Sequence, residues 1–167
     1  MNALIENRRS IRKYQSGKQV TKEQLTQLLN AAMLAPSARN TRPWEFIAIT
    51  NRKVLDDIMK IHPYAQMLET AAAAIIVVGL PQCETSQKYF PQDCAAATEN
   101  ILLEAVSLGL GTCWCGVYPN EERVNALQKL LQIPLPKVPF NVIAVGVPDE
   151  NPGQRGFYDK AKATFLE

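Results

Sequence analysis

The run Pro91-Gln-Asp-Cys-Ala-Ala-Ala-Thr-Glu-Asn-Ile-Leu-Leu-Glu-Ala-Val-Ser-Leu108 lies in the middle of the chain. Proline suits the first turn of a helix, and Gly109 and Gly111 follow the last apolar residue as stop signals. A helix is therefore expected from about Gln92 to Leu108. Its polar residues, Glu99, Asn100, Glu104 and Ser107, form a narrow stripe, and the rest is mostly Ala, Ile, Leu and Val. Most of its circumference must be buried. One small domain can hardly cover that much helix surface, which points to a subunit interface.

Outward from this helix, strands and helices alternate. On the N-terminal side, a short first helix from Leu4 is expected to end near Ser10. Thr21 with Gln24 three residues on forms a capping box. The spacing of Leu25, Leu28, Leu29, Ala32 and Met33 predicts a helix over about Thr21–Leu34, which Pro36 ends. Phe46–Thr50 reads as a strand and residues 52–61 as a short helix. Ala74–Leu80 is continuously apolar and rich in β-branched residues, as in a strand covered on both faces. Beyond the central helix, Thr112–Tyr118 is extended, Asn120 caps a helix to about Leu131, and Phe140–Val147 is the last strand. The loop Pro148–Gly153 and a charged tail close the chain. This order describes one layered α/β-type domain and by itself suggests a parallel sheet.

The chain has 167 residues, with 47% hydrophobic and 20% charged. That is enough for one core without disulfide or metal staples. The formal charge of +2 hides an asymmetry. Residues 1–42 hold eight Lys/Arg against two Glu, a net of +6, and residues 43–167 hold ten against fourteen acids, a net of −4. An anionic partner for the N-terminal quarter follows. The apolar runs Ala71–Leu80 and Ile101–Leu110 fall short of the ~20 residues of a membrane span or are broken by Glu104. The N-terminus lacks a signal peptide's apolar region. A cytoplasmic protein without membrane contact is expected. The spacing Cys113-x-Cys115 is not that of a zinc knuckle, and His62 is the single histidine. No metal site is expected, and the cysteines read as buried free thiols.

Four segments carry chemistry. Arg8-Arg-Ser-Ile-Arg-Lys-Tyr14 offers planar donors and a hydroxyl to a phosphate or another planar acceptor; a solvated basic face or a nucleic-acid contact is the alternative. Ile11 and Tyr14, interleaved with the cations, argue that the segment is pinned to the core. Pro36–Trp44 has short polar side chains and two arginines, fit either for a ligand loop or for a plain surface loop with Trp44 as core filler. Leu108-Gly-Leu-Gly-Thr-Cys-Trp-Cys-Gly116 is neither a P-loop nor a dinucleotide fingerprint and reads as a tight turn into a strand. Gly146-Val-Pro-Asp-Glu150, with Arg155 beyond, either brings one more cation to a shared site or is an ordinary surface loop.

Taken jointly, the ordered motifs resemble the FMN-dependent nitroreductase family over essentially the whole chain. The resemblance implies an α+β fold, with a central, mostly antiparallel sheet packed by helices. It also implies an intertwined homodimer with FMN at the interface, and a single FMN-binding domain over residues 1–167. By motif matching, Arg8, Arg9, Ser10 and Arg12 look like the FMN-binding stretch. Arg8 would pair with the phosphate, Ser10 would bond phosphate or ribityl oxygens, and Arg12 would face the pyrimidine edge. Ser37, Arg39 and Asn40 resemble the stretch that contacts the FMN of the other subunit. Trp114, Cys115 and Gly116 match the segment beside the isoalloxazine ring, and Arg155 the residue that closes on the phosphate.

The implied activity is ping-pong hydride transfer from NAD(P)H through the flavin to a nitroaromatic or quinone acceptor, with no protein nucleophile or catalytic base. Other flavin chemistry on the same fold (reductive dehalogenation, flavin fragmentation) or flavin storage is the alternative. Two departures stand out. Only Leu80–Phe90 separates the apolar strand from the central helix, where longer members carry a helical insertion. Arg42 stands where many have Gln or Glu.

Overall fold

The computed structural model describes residues 2–83, 88–153 and 155–167. The Leu80–Phe90 connection therefore lies partly outside the described residues. At the centre is β2 (Ala73–Gly79), buried along its whole length. It pairs with β1 (Trp44–Ile49) on one side and β4 (Val138–Gly146) on the other, and β3 (Gly111–Gly116) completes the order β1-β2-β4-β3. Every pairing is antiparallel. The parallel sheet suggested by the alternation of elements is thus replaced by the antiparallel one the family resemblance implies.

The physical reason lies in the connection from β1 to β2. Helix α3 (Arg52–Ile61) carries the chain away, and a return segment with a turn at Gln66–Glu69 brings it back to the end it left, where Ile49 pairs with Ala74. Arg52 ties this return down, donating through Nη2 to Leu68 O at 2.6 Å and through Nη1 to Ala71 O at 3.3 Å. The one irregularity of the β2–β4 pairing falls at Val77/Val78 opposite Pro139. Proline has no N–H to give a ladder, so a bulge is where it can sit.

Alternation divides the core in two. Ala73, Ile75 and Val77 with Ile143 and Val145 pack against α2 (Lys22–Met33) and α4 (Phe90–Ser107). Ala74, Ile76 and Val78 with Val142 and Ala144 pack on the opposite face, with Leu55 and Ile58 of α3 and Leu127 of α5 (Glu121–Leu131). The Thr21–Gln24 capping box forms as expected. Within α4, Phe90, Cys94, Ala97, Ile101 and Ala105 are buried, whereas Ala95, Ala96, Leu103 and Val106 are only half-buried. The strip expected at a subunit interface is thus an incompletely covered apolar face. No helix among the described residues is long and apolar enough to cross a membrane.

The first helix, α1, covers only Ala3–Asn7 and ends before the arginines, so Arg8–Tyr14 is extended rather than helical. Gly109 makes the turn after α4 with φ +66°, and the strand begins at Gly111.

Candidate functional site

The Arg8–Tyr14 segment is stitched onto one end of the sheet. Ile11 N donates to Thr112 O at 2.8 Å, Gln15 N to Val147 O at 2.9 Å, and Asp149 N to Lys13 O at 2.9 Å. Ile11 and Tyr14 point into the core, as their placement among the arginines predicted. Two glycines make room for them. A Cβ at Gly111 would lie 2.9 Å from the Ile11 side chain, and one at Gly146 would lie 2.8 Å from the Tyr14 ring. With the apolar residues anchored, the intervening polar ones face outward.

Arg8, Arg9, Ser10 and Arg12 converge with Glu150, Pro152 and Arg155 on a cavity of about 260 Å³. The arginines have different commitments. Arg8 Nε lies 3.4 Å from Glu99 of α4. Arg9 is used structurally, giving Nη2 to Glu6 O at 2.7 Å and Nε to Gly153 O at 3.2 Å, which ties the C-terminal loop to the N-terminus. Glu150 accepts the backbone N–H groups of Arg12 and Lys13 through Oε1. The Arg12 guanidinium has no ion-pair partner among the described residues and reaches only the Ser10 carbonyl, at 3.5 Å. Four guanidinium groups around one carboxylate leave this cavity cationic, and planar forks beside a hydroxyl match the oxygens of a phosphate.

Arg12 also lines a second cavity, of about 480 Å³, with Tyr64, Gln66, Met67, Trp114 and Gly116. Trp114 is tilted against Phe140 with ring centroids 5.8 Å apart. The Gly116 carbonyl is held from two sides, by His62 Nε2–H at 2.9 Å and Arg123 Nη1 at 3.2 Å. Tyr64 N–H approaches His62 Nδ1 at 3.3 Å, so the imidazole serves as donor at one nitrogen and acceptor at the other. Burial holds its pKa below the ordinary value, which keeps this neutral form. Arg123 stacks over the Tyr64 ring at 5.0 Å. A cationic cavity and an aromatic-walled one therefore meet at a single guanidinium.

The structure thus brings together Arg8, Arg9, Ser10, Arg12 and Arg155, and sets Trp114 and Gly116 on the far side of Arg12. The Cys115 side chain lines the second cavity but belongs to the core packed by α3 and α5, and Trp114 packs on the other face of the sheet. The Ser37 loop stands apart. Asn40 lines a separate surface depression with Asn30, Met33, Leu34 and Arg42. Arg39, Asn40 and Arg42 have positive φ of 52°, 56° and 48° without being glycine, interrupted by Thr41 at φ -73°. Such backbone persists only where the surroundings fix it. Here Ser37 Oγ accepts from Arg42 N at 2.9 Å, and Asp93 Oδ1 accepts from Ala38 N at 3.0 Å.

Asp93, Gln66 and Met67 were not singled out from sequence. An acid in the first turn of a nearly all-apolar helix was the available signal for Asp93. Nothing in the sequence marked Gln66 or Met67, which reach the site through the return segment. Glu150 stood inside a noted motif, but its role as backbone acceptor had no sequence signal.

Fold and site define an α+β protein whose phosphate-sized cationic cavity opens onto an aromatic-walled one. A model of the nitroreductase family matches residues 5–147, and the chain belongs to that family. It is 48% identical over 155 residues to a candidate NADH dehydrogenase/NAD(P)H nitroreductase of Methanothermobacter thermautotrophicus, covering 93% of this chain and 81% of that protein. Among solved structures, a candidate NADH oxidase from Clostridium acetobutylicum superposes with TM-score 0.93 at 41% identity, covering 98% of this chain and 99% of the other. A candidate nitroreductase from Desulfovibrio desulfuricans, solved in complex with FMN, superposes with TM-score 0.83 at 28% identity, covering 99% and 95%.

Proposed function

We propose that this chain is an FMN-dependent oxidoreductase, a single domain over residues 1–167, that works as a homodimer in the cytoplasm. The reaction is a ping-pong transfer of hydride equivalents from NAD(P)H to a nitroaromatic, a quinone or a similar acceptor. The observation that carries this reading is the junction at Arg12, where a cationic cavity of about 260 Å³ meets an aromatic-walled one of about 480 Å³. A phosphorylated planar cofactor fits that donor set. The FMN-bound relative supports it.

Bound FMN supplies the hydride acceptor and donor between the two substrates. In this reading Arg8, Ser10 and Arg155 would hold the phosphate, and Arg9 would fix the Gly153 loop beside them through its bond to the Gly153 carbonyl. Arg12 sets a fixed positive charge beside the pyrimidine edge, where negative charge collects on reduction, and thereby favours that charge. Trp114, Cys115 and Gly116 of β3, which line the second cavity, would run along the ring. Asn40 lines a different cavity from the phosphate set, and in the dimer Ser37, Arg39 and Asn40 would contact the partner subunit's cofactor. The half-covered face of α4 and the exposed Phe157, Tyr158, Phe165 and Leu166 of the tail give a second subunit apolar surface to cover. Cys94, Cys113 and Cys115 are free thiols, as suits a reducing compartment.

The test is an absorbance spectrum of the purified protein, with flavin bands expected near ~370 and ~450 nm. The long-wavelength band bleaches on NADH or NADPH and recovers on a nitroaromatic or quinone. A colourless protein that takes up no added FMN refutes the reading. A coloured protein that NAD(P)H does not bleach refutes the activity and leaves storage.

A further inference from the structure

β3 ends at Gly116, and nothing within the described chain asks for glycine there. Its φ lies outside the left-handed region, and a Cβ built on it would have no atom within 4 Å. Gly111 and Gly146 differ, because each makes room for a buried side chain. A glycine that weakens a strand without serving a neighbour suits the close approach of a group from outside. Gly116 lines the cavity of about 480 Å³ with Arg12 and Trp114. Its carbonyl is held from two helices. His62 ends α3, its backbone N–H closing the helix on Ile58 O at 2.9 Å, and its Nε2–H donates to Gly116 O at 2.9 Å. Arg123 sits in the first turn of α5, its N–H bonded to the Asn120 cap at 2.9 Å, and its Nη1 donates to the same oxygen at 3.2 Å. The N–H of that same peptide, on Val117, donates to Phe140 O at 3.1 Å. A peptide is planar, so three hydrogen bonds fix its orientation. Tyr64 joins the two donors, with its N–H 3.3 Å from His62 Nδ1 and its ring 5.0 Å from the Arg123 guanidinium.

We propose that His62 and Arg123 are positioning residues of the flavin reaction: by locking the Gly116 carbonyl they hold the end of β3 at a fixed distance from the flavin ring. This rests on the reading of the two cavities as one flavin site. Neither residue lines the cavity, so both act through the glycine. Hydride transfer is steep in geometry, and a misplacement of about 1 Å costs roughly 10²-fold in rate. Two donors share one acceptor, so either alone keeps part of the hold. Losing both therefore costs more than the two single losses combined.

The test is stopped-flow bleaching of the flavin-loaded protein by saturating NADH or NADPH, with FMN in excess and thermal melts alongside. H62L and R123M each remove one donor, and each is expected to slow bleaching by about threefold. H62L/R123M is expected to slow it by roughly thirtyfold, beyond the ~ninefold product of the single losses. H62Q, whose amide N–H takes the place of Nε2–H, recovers the H62L loss. A fall in Tm with an unchanged bleaching rate, or a strictly multiplicative loss in the double variant, overturns the proposal. Should H62L misfold, R123M and R123K decide: R123K, which keeps a donor, regains the rate, and equal rates in R123M, R123K and wild type overturn the proposal. G116V separates this outcome from the reading beneath it. Its side chain enters open space, so Tm should hold while FMN binds about tenfold more weakly or worse. Wild-type FMN affinity in G116V removes the flavin from this strand end, and the proposal falls with it. Weakened binding in G116V with unaltered bleaching in H62L/R123M refutes the positioning role alone.

Discussion

Replacing Gly146 by alanine tests whether the sheet end positions the arginines. The added Cβ would lie 2.8 Å from Tyr14 Cδ1 and 3.3 Å from the Ala72 backbone nitrogen. Neither neighbour can give way cheaply. The Tyr14 hydroxyl donates to Ile11 O at 2.8 Å, and the next residue is tied to Val147 O at 2.9 Å. Overpacking of this kind costs roughly 1–3 kcal/mol. Loss of glycine's freedom in the unfolded chain returns about 0.4–1 kcal/mol. The net expectation is a loss of ~1–2 kcal/mol, or a fall in Tm of roughly 2–8 °C for a chain of this size. The displaced Tyr14 carries Arg12 with it, so FMN affinity should fall as well, by up to ~tenfold for each 1.4 kcal/mol transmitted. Thermal melts and FMN fluorescence titrations measure both effects. The double variant G146A/Y14L, in which the ring is gone, should show a coupling energy on the order of 1 kcal/mol. Unchanged stability and affinity in G146A refute the argument. Strictly additive losses in the double variant refute the assignment of the clash to Tyr14.

Arg12→Gln removes the guanidinium shared by the two cavities; FMN is expected to bind roughly 10–100-fold more weakly, from the ~1.5–3 kcal/mol of a charged hydrogen bond, and equilibrium titration measures it. Asp93→Ala leaves the Ala38 N–H without its acceptor and should cost about 1–3 kcal/mol in melts, while Asp93→Asn, which keeps an oxygen there, should recover part of it. His62 is held neutral, so its pKa lies lower folded than unfolded. The unfolded chain then takes up the proton first, and stability is full above about pH 6.5 and declines as pH falls from there toward the depressed folded value. His62→Gln should flatten that part of a Tm-against-pH profile. A wild-type profile that stays flat over the same range contradicts the burial argument.

The elements were readable where local chemistry decides them, as with the Thr21–Gln24 capping box, the Asn120 cap and the apolar run of β2. Strand direction was not readable from the alternation of elements. It depends on the return segment after α3, which Arg52 holds through backbone carbonyls that no pattern of side chains announces. The arginine segment was legible as pinned, because Ile11 and Tyr14 alternate with cations. That Gly111 and Gly146 provide the room for them follows only from the register of β3 and β4. Cys115 lines the second cavity with Trp114 and Gly116, and its sulfur lies with Met67 on the face opposite the tryptophan, as adjacent residues of a strand require.

The N-terminal excess of positive charge sharpens the same point. Arg8, Arg9 and Arg12 surround one compact cavity, and Arg42 lines another with Asn40 on a left-handed loop. A polyanion tracking a surface would be met by cations free to face it. Here Arg9 is spent on Glu6 and Gly153, Arg8 leans on Glu99, and among the described residues the Arg12 guanidinium reaches only the Ser10 carbonyl. The charge not committed to a carboxylate therefore includes Arg12, the residue where the two cavities join. That arrangement suits a single compact anion better than an extended polyanion. Arg42 and Asn40 line their own depression, apart from this junction.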